Sequence, residues 1–175
     1  FLGHAQDGAK VAGEVLGRLR FSNREVRLVE TAVEHHLRPT QMGWPDLPSR
    51  RAIYRYLRDT GEAATGVLYL SLADHLATRG PELDLPNWQI HAETVRYIVS
   101  QREEEPARPL HLVDGYDIMS FFGLSPGRRV GELLENVREA QASGEVSTKE
   151  EALALVGRLL DTSSERGRDQ SGSAD

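Results

Sequence analysis

The stretch Ser22-Asn23-Arg24-Glu25-Val26-Arg27-Leu28-Val29-Glu30-Thr31-Ala32-Val33-Glu34-His35-His36-Leu37-Arg38-Pro39 decides the fold class. Ser22 followed three residues later by Glu25 is a capping box, in which each side chain satisfies a backbone N–H that the first helical turn leaves open. Val26, Val29, Val33 and Leu37 then recur at spacings of three or four, the period of an α-helix and not the alternation of a strand. Pro39 has no N–H to continue the ladder and closes the segment.

The same signals repeat on both sides. Towards the N-terminus, Ala9, Val11, Ala12, Val15, Leu16 and Leu19 predict a helix from about Gln6 to Leu19. Towards the C-terminus, Gly43, Pro45 and Pro48 mark 40–48 as a loop. A helix from Ser49 then carries Ile53, Tyr54 and Leu57 inward, and Thr60-Gly61 separates it from one that runs through Val67, Leu72 and Leu76 to Gly80. Pro81 to Pro86 reads as a rigid connector before a helix from Trp88 to Arg102, and Glu103 to Pro109 as a linker. Beyond it, Asp114 opens a short helix, Leu124-Ser125-Pro126-Gly127 turns the chain, and a further helix runs to Ala142. Ser147 and Glu150 read as a second capping box before a last helix from Thr148 to Leu160. The expected class is all-α: a bundle of about five helices over 1–104, a small three-helix tail module over 105–161, and a disordered tail of Ser, Gly and charged residues over 162–175.

Composition narrows the function. The 175 residues are 39% hydrophobic and 27% charged, ordinary values for a soluble globular chain. No apolar run is long enough to span a bilayer, so no membrane partner is expected. The absence of cysteine excludes disulfides, thiolate–zinc sites and thiol nucleophiles, and a cytoplasmic location is the natural expectation. The chain opens Phe1-Leu2-Gly3-His4 without an initiator Met and reads as the back portion of a longer polypeptide. Net charge is −6, unevenly spread: residues 1–58 hold ten Lys/Arg against six Asp/Glu, and the remainder eleven against twenty-one. A locally basic front on an acidic body is compatible with RNA, whose affinity comes largely from neutralised phosphates.

Two basic clusters carry that reading. Arg50, Arg51, Arg55 and Arg58 recur at helical spacing with Tyr54 interleaved, a pattern suited to phosphates and to stacking on bases or sugars. Arg18, Arg20, Arg24 and Arg27 flank the first helix–helix turn and extend the same basic region. Arg128 and Arg129 follow Gly127 at the start of a helix, where the macrodipole disfavours cations unless an anion is near. The bland alternative for all of them is a solvated face of snorkelling arginines. No Walker-type phosphate loop and no nucleophile elbow occurs, so no catalytic residue is assigned.

A different chemistry is suggested by His4, His35, His36 and Asp74, which stand at helix ends and mid-helix where imidazole and carboxylate ligands gather around first-row metals. Their order resembles the rear half of the HD-domain metallohydrolase pattern. That pattern also needs an earlier His and an adjacent His-Asp pair, and no His-Asp dipeptide occurs here. A divalent metal would be the cofactor of that alternative, a metal-dependent phosphohydrolase. The competing reading is that these groups cap helices and fill polar niches, as His75 and His91 are expected to do.

Read in order, several segments resemble the C-terminal region of the class II tRNA nucleotidyltransferase and bacterial poly(A) polymerase family. They are Phe1-Leu2-Gly3-His4, Arg18-Leu19-Arg20-Phe21-Ser22, Glu34-His35-His36-Leu37-Arg38-Pro39, Arg50-Arg51-Ala52-Ile53-Tyr54-Arg55 and Leu72-Ala73-Asp74-His75. Leu112-Val113-Asp114-Gly115-Tyr116-Asp117-Ile118-Met119 and Gly123-Leu124-Ser125-Pro126-Gly127 continue the likeness into the tail module. The resemblance implies an HD-related, non-catalytic region that binds tRNA or other RNA during 3′-end processing. It also implies an N-terminal catalytic head, not matched in this chain, whose Gly-Ser strand and paired aspartates hold magnesium with ATP or CTP.

Overall fold

The computed structural model describes residues 3–42, 46–104 and 111–169, with 103–104 and 163–169 described by backbone alone. Among these residues every regular element is helical. The α-helices are α1 (His4–Arg18), α2 (Asn23–His35), α3 (Arg38–Gln41), α4 (Arg50–Thr60), α5 (Ala64–Arg79), α6 (Leu85–Glu104), α7 (Gly115–Phe122), α8 (Arg128–Ser143) and α9 (Lys149–Asp169). The expected all-α class holds, and among the described residues no helix is long and apolar enough to cross a membrane. The chain divides into two compact units, Phe1–Pro106 and Ala107–Asp175.

Several boundaries move for identifiable reasons. Pro39 ends α2 but also sits in the first turn of α3, where its missing N–H costs nothing, so a short helix occupies part of the expected loop. Pro86 plays the same part in α6, which begins at Leu85 and not at Trp88. The α9 capping box lies one residue later than expected: Thr148 Oγ1 accepts from Glu151 N–H at 3.2 Å, and Glu151 Oε2 accepts from the N–H groups of Thr148 and Ser147. α9 continues to Asp169, beyond the expected end near Leu160, and 170–175 lie outside the described residues, as does most of the expected linker.

The capping box at α2 is complete: Ser22 N–H donates to Glu25 Oε2 at 2.8 Å while Ser22 Oγ accepts from Glu25 N–H. The Ser22 hydroxyl, which also donates to Glu25 Oε2 at 2.7 Å, and then the Ser22 N–H hold the Glu25 carboxyl below its ordinary value. α1 lays Ala5, Ala9 and Gly13 against α2, so the two backbones approach closely. α1 ends in a Schellman motif, with Phe21 N–H reaching Leu16 O and Arg20 N–H reaching Gly17 O, both at 3.1 Å. The left-handed position of that motif is held by Arg20 at φ 60°, a place that glycine fills in the corresponding turn after α8.

The first unit's core is Ile53 and Tyr56 of α4, Ala64, Val67 and Leu68 of α5, and Val95 and Ile98 of α6, with Ala63 between α4 and α5. Here the inward tyrosine is Tyr56, fully buried, whereas Tyr54 is half-buried. Tyr56 Oη donates to Ala64 O at 2.6 Å, and Thr60 Oγ1 donates to Tyr56 O at 2.7 Å, so the break after α4 is pinned by side chains. Burial pushes the Tyr56 phenol up from its ordinary value.

The second unit packs Val113, Ile118 of α7, Val130, Leu133 and Val137 of α8, and Ala152 and Val156 of α9 into its own core. Asp114 and Asp117 form a capping box at the start of α7. Lys149 donates to Asp117, tying α9 to α7; that bond comes first among the causes that hold the Asp117 carboxyl down.

Candidate nucleic-acid interface

α4 begins at Arg50 because Ser49 caps it, its Oγ accepting from Ala52 N–H at 3.2 Å. The cap therefore puts Arg50 and Arg51 in the first turn, over open backbone N–H groups, with no acidic residue there to balance them. Burial of Ile53, Tyr56 and Thr60 fixes the opposite face, which leaves Arg50, Arg55 and Arg58 exposed and Arg51 and Tyr54 half-buried. Arg58 and Arg38 both donate to Asp59, each at 2.7 Å. Partial burial works against that carboxylate, but the two guanidinium hydrogen bonds outweigh it and hold its pKa below the ordinary value. Arg24 pairs with Glu62 at 3.0 Å on an exposed surface, so part of the basic region around the first turn is balanced within the fold.

In the second unit Arg128 and Arg129 are exposed in the first turn of α8. Arg128 Nε donates to Glu132 Oε1 at 2.7 Å, an i,i+4 pair that supplies an anion from within the helix. A groove of about 440 Å³ between α8 and α9 is lined by Arg128, Arg129, Glu132, Leu133, Asn136 and Leu159. Gly127, expected to permit a tight turn, has φ 166°, an extended conformation open to any residue; the left-handed glycine of this region is Gly123, at φ 65° after α7. The α4 and α8 arginines thus belong to separate units.

Of the candidate metal ligands, His4 and His36 meet edge-to-face with ring centroids 5.5 Å apart. His36 Nδ1 lies 2.5 Å from Val33 O, which engages that nitrogen with the backbone. His35 is half-buried at the end of α2, and Asp74 is half-buried on α5. Among the described residues no three His, Asp or Glu side chains are placed to hold one metal ion.

A second constellation gathers the two histidines expected to cap helices and fill polar niches. His75 of α5 and His91 of α6 lie with ring centroids 5.0 Å apart, and Trp88 stacks near His91 at 6.3 Å. Both histidines are buried, and Ser71 Oγ sits 3.3 Å from His91 Nε2. Burial first, then the nearby Arg79, lowers the His75 pKa against the opposing pull of Asp74 and Asp84. Burial, followed by His75 and Arg79, lowers His91 to about 4. Helical spacing carries the signal for both: His91, Val95 and Ile98 share one stripe, as do Leu68, Ser71 and His75.

Comparison with known proteins gives these surfaces a context. Over 158 residues, 90% of this chain and 35% of the relative, the sequence is 35% identical to an A-adding tRNA nucleotidyltransferase of Deinococcus radiodurans. Over 157 residues, 89% of this chain and 33% of the relative, it is 37% identical to a CC-adding tRNA nucleotidyltransferase of Thermus thermophilus. A CC-adding tRNA nucleotidyltransferase of Geobacter sulfurreducens is 49% identical over a shorter stretch of 51 residues. No family model and no solved structure matches the chain. The chain spans about a third of the length of the first two relatives. With nine-tenths of its residues aligned at 35% and 37% identity, the chain is homologous to a region of the tRNA nucleotidyltransferases.

Proposed function

We propose that this chain is a tRNA-engaging helical region of a tRNA nucleotidyltransferase and takes part in building the tRNA 3′ end without carrying the catalytic groups. The observation behind this reading is the alignment of almost the whole chain with enzymes that are named for acting on tRNA. Arg50, Arg51 and Arg55 with Tyr54 on α4, and Arg128 and Arg129 on α8, are the proposed phosphate contacts. Such contacts hold the acceptor end in register and read no sequence. Nucleotide addition itself belongs to a catalytic head with magnesium and ATP or CTP. No chemical step is proposed for this chain. A-adding and CC-adding relatives share this segment at nearly equal identity, and the choice of nucleotide is accordingly proposed to lie outside it.

The test is titration of fluorescent tRNA with the chain at two salt concentrations, wild type against the double variant Arg50→Ala, Arg55→Ala. Both side chains are exposed, so the variant leaves the core intact. Loss of two phosphate contacts weakens binding and reduces the slope of log affinity against log salt by about two. Equal affinity and equal slope remove α4 from the interface.

A further inference from the structure

At the meeting of α3, α5 and α6 lies a partly open cavity of about 200 Å³, lined by Thr40, His75, Arg79, Asn87, His91 and Thr94 among others. The two imidazoles in its wall are 5% and 3% exposed, yet both ring nitrogens of His75 and Nδ1 of His91 have no hydrogen-bond partner. Buried polar groups in folded proteins are nearly always satisfied, so these nitrogens call for a partner, and the adjoining cavity has room for one. The space exceeds what one bridging water needs and is smaller than a pocket for a drug-sized ligand.

The lining fixes the sign of that occupant. It presents a guanidinium, two hydroxyls, a carboxamide and two imidazoles, and no carboxylate. Thr40 spends its O–H on Leu37 O at 2.6 Å, while each of the other groups has an N–H or O–H to donate, a neutral imidazole having one. Asn87 is held in place by Asp84, which accepts from its Nδ2 at 2.5 Å. A cation would meet the Arg79 guanidinium in the wall itself, the carboxylates that act on His75, Asp74 and Asp84, lying outside the lining. A compact oxyanion would take a planar fork from Arg79 and one further hydrogen bond from the single N–H of each neutral imidazole.

We propose that this cavity is a phosphoryl-binding site, with Arg79 as the charged clamp and His75, His91 and Thr94 as neutral donors. The phosphoryl group belongs either to free phosphate or a nucleotide, or to the backbone of bound RNA. This site shares no residue with the proposed tRNA contacts, so failure of either proposal leaves the other standing.

The experiment is titration of the 175-residue chain with inorganic phosphate, at ionic strength held constant with chloride, while the histidine ring resonances are recorded by NMR. His91→Gln assigns the His91 signal. The expected result is a saturable shift of the His75 and His91 signals that chloride does not reproduce. Arg79→Ala, at an exposed position, weakens the phosphate effect by roughly tenfold, the loss of one charge-assisted contact. Displacement of phosphate by tRNA identifies the RNA backbone as the source of the group, and simultaneous binding identifies free phosphate or a nucleotide. Absence of a saturable shift with both phosphate and pyrophosphate overturns the proposal, as does an Arg79→Ala variant with wild-type affinity or a response to zinc in place of phosphate.

Discussion

Acidification from pH 7 to pH 5 should weaken the first unit through His91 before any carboxylate contributes. In the folded protein burial lowers this imidazole to about 4, whereas in the unfolded chain it returns to its ordinary value of 6.5. Above 6.5 both states hold it neutral and it contributes no pH dependence. Below 6.5 the unfolded state takes up a proton that the folded state refuses, so stability falls as pH falls, down to the folded value. At 1.36 kcal/mol per unit of difference, the loss is about 2 kcal/mol by pH 5 and about 3 kcal/mol in full. Burial lowers His75 as well, which adds to the same slope. The depressed carboxylates of Glu25 and Asp59 lose their contribution only below their ordinary range, so the window from 7 to 5 isolates the imidazoles. The assay is urea unfolding in phosphate-free buffer, followed by tryptophan fluorescence, since both tryptophans, Trp44 and Trp88, fall in the first unit. His91→Gln keeps a partner for Ser71 and removes the titration, so it should flatten most of the decline. An equal decline in the variant and the wild type would refute the assignment.

Three further outcomes are expected. Tyr56→Phe removes the donor to Ala64 O inside the core and should cost about 1–3 kcal/mol by urea unfolding; an unchanged midpoint would mean that water reaches that carbonyl. Arg20→Gly relieves a left-handed side-chain position and should raise stability by roughly 0.5–1 kcal/mol, seen as a higher urea midpoint at constant slope. Asp114→Ala removes the cap of α7 and should cost about 1 kcal/mol in the second unit, with the tryptophan-detected transition of the first unit unmoved.

Periodicity and caps made the helical class legible in the residues, because Ser22/Glu25 and Asp114/Asp117 act through local geometry that needs no tertiary context. Tyr56 was harder to place than Tyr54 because both lie near the edge of the apolar arc of α4; the acceptor at Ala64, eight residues away and beyond the break, decides which one is buried. The paired histidines of α5 and α6 show the same limit. Spacing puts each on an inward face, but only packing sets their rings 5.0 Å apart beside a cavity. The arginines of α4 and α8 were legible as exposed charge; their partners within the fold, Asp59 for Arg58 and Glu132 for Arg128, were not.

The small residues that α1 sets against α2 also determine the order in which the backbone opens to water. Ala5, Ala9 and Gly13 allow a close approach but withdraw little apolar surface, while Val11 and Val15 of the same helix and Leu19 just after it stand 58%, 43% and 64% exposed. At about 25 cal/mol per Å² the contact holds α1 weakly compared with α5, whose Val67 and Leu68 are buried in the core. In deuterium exchange the α1 amides should therefore open as a separate, low-energy unit, while those of α5 remain protected until the first unit unfolds as a whole.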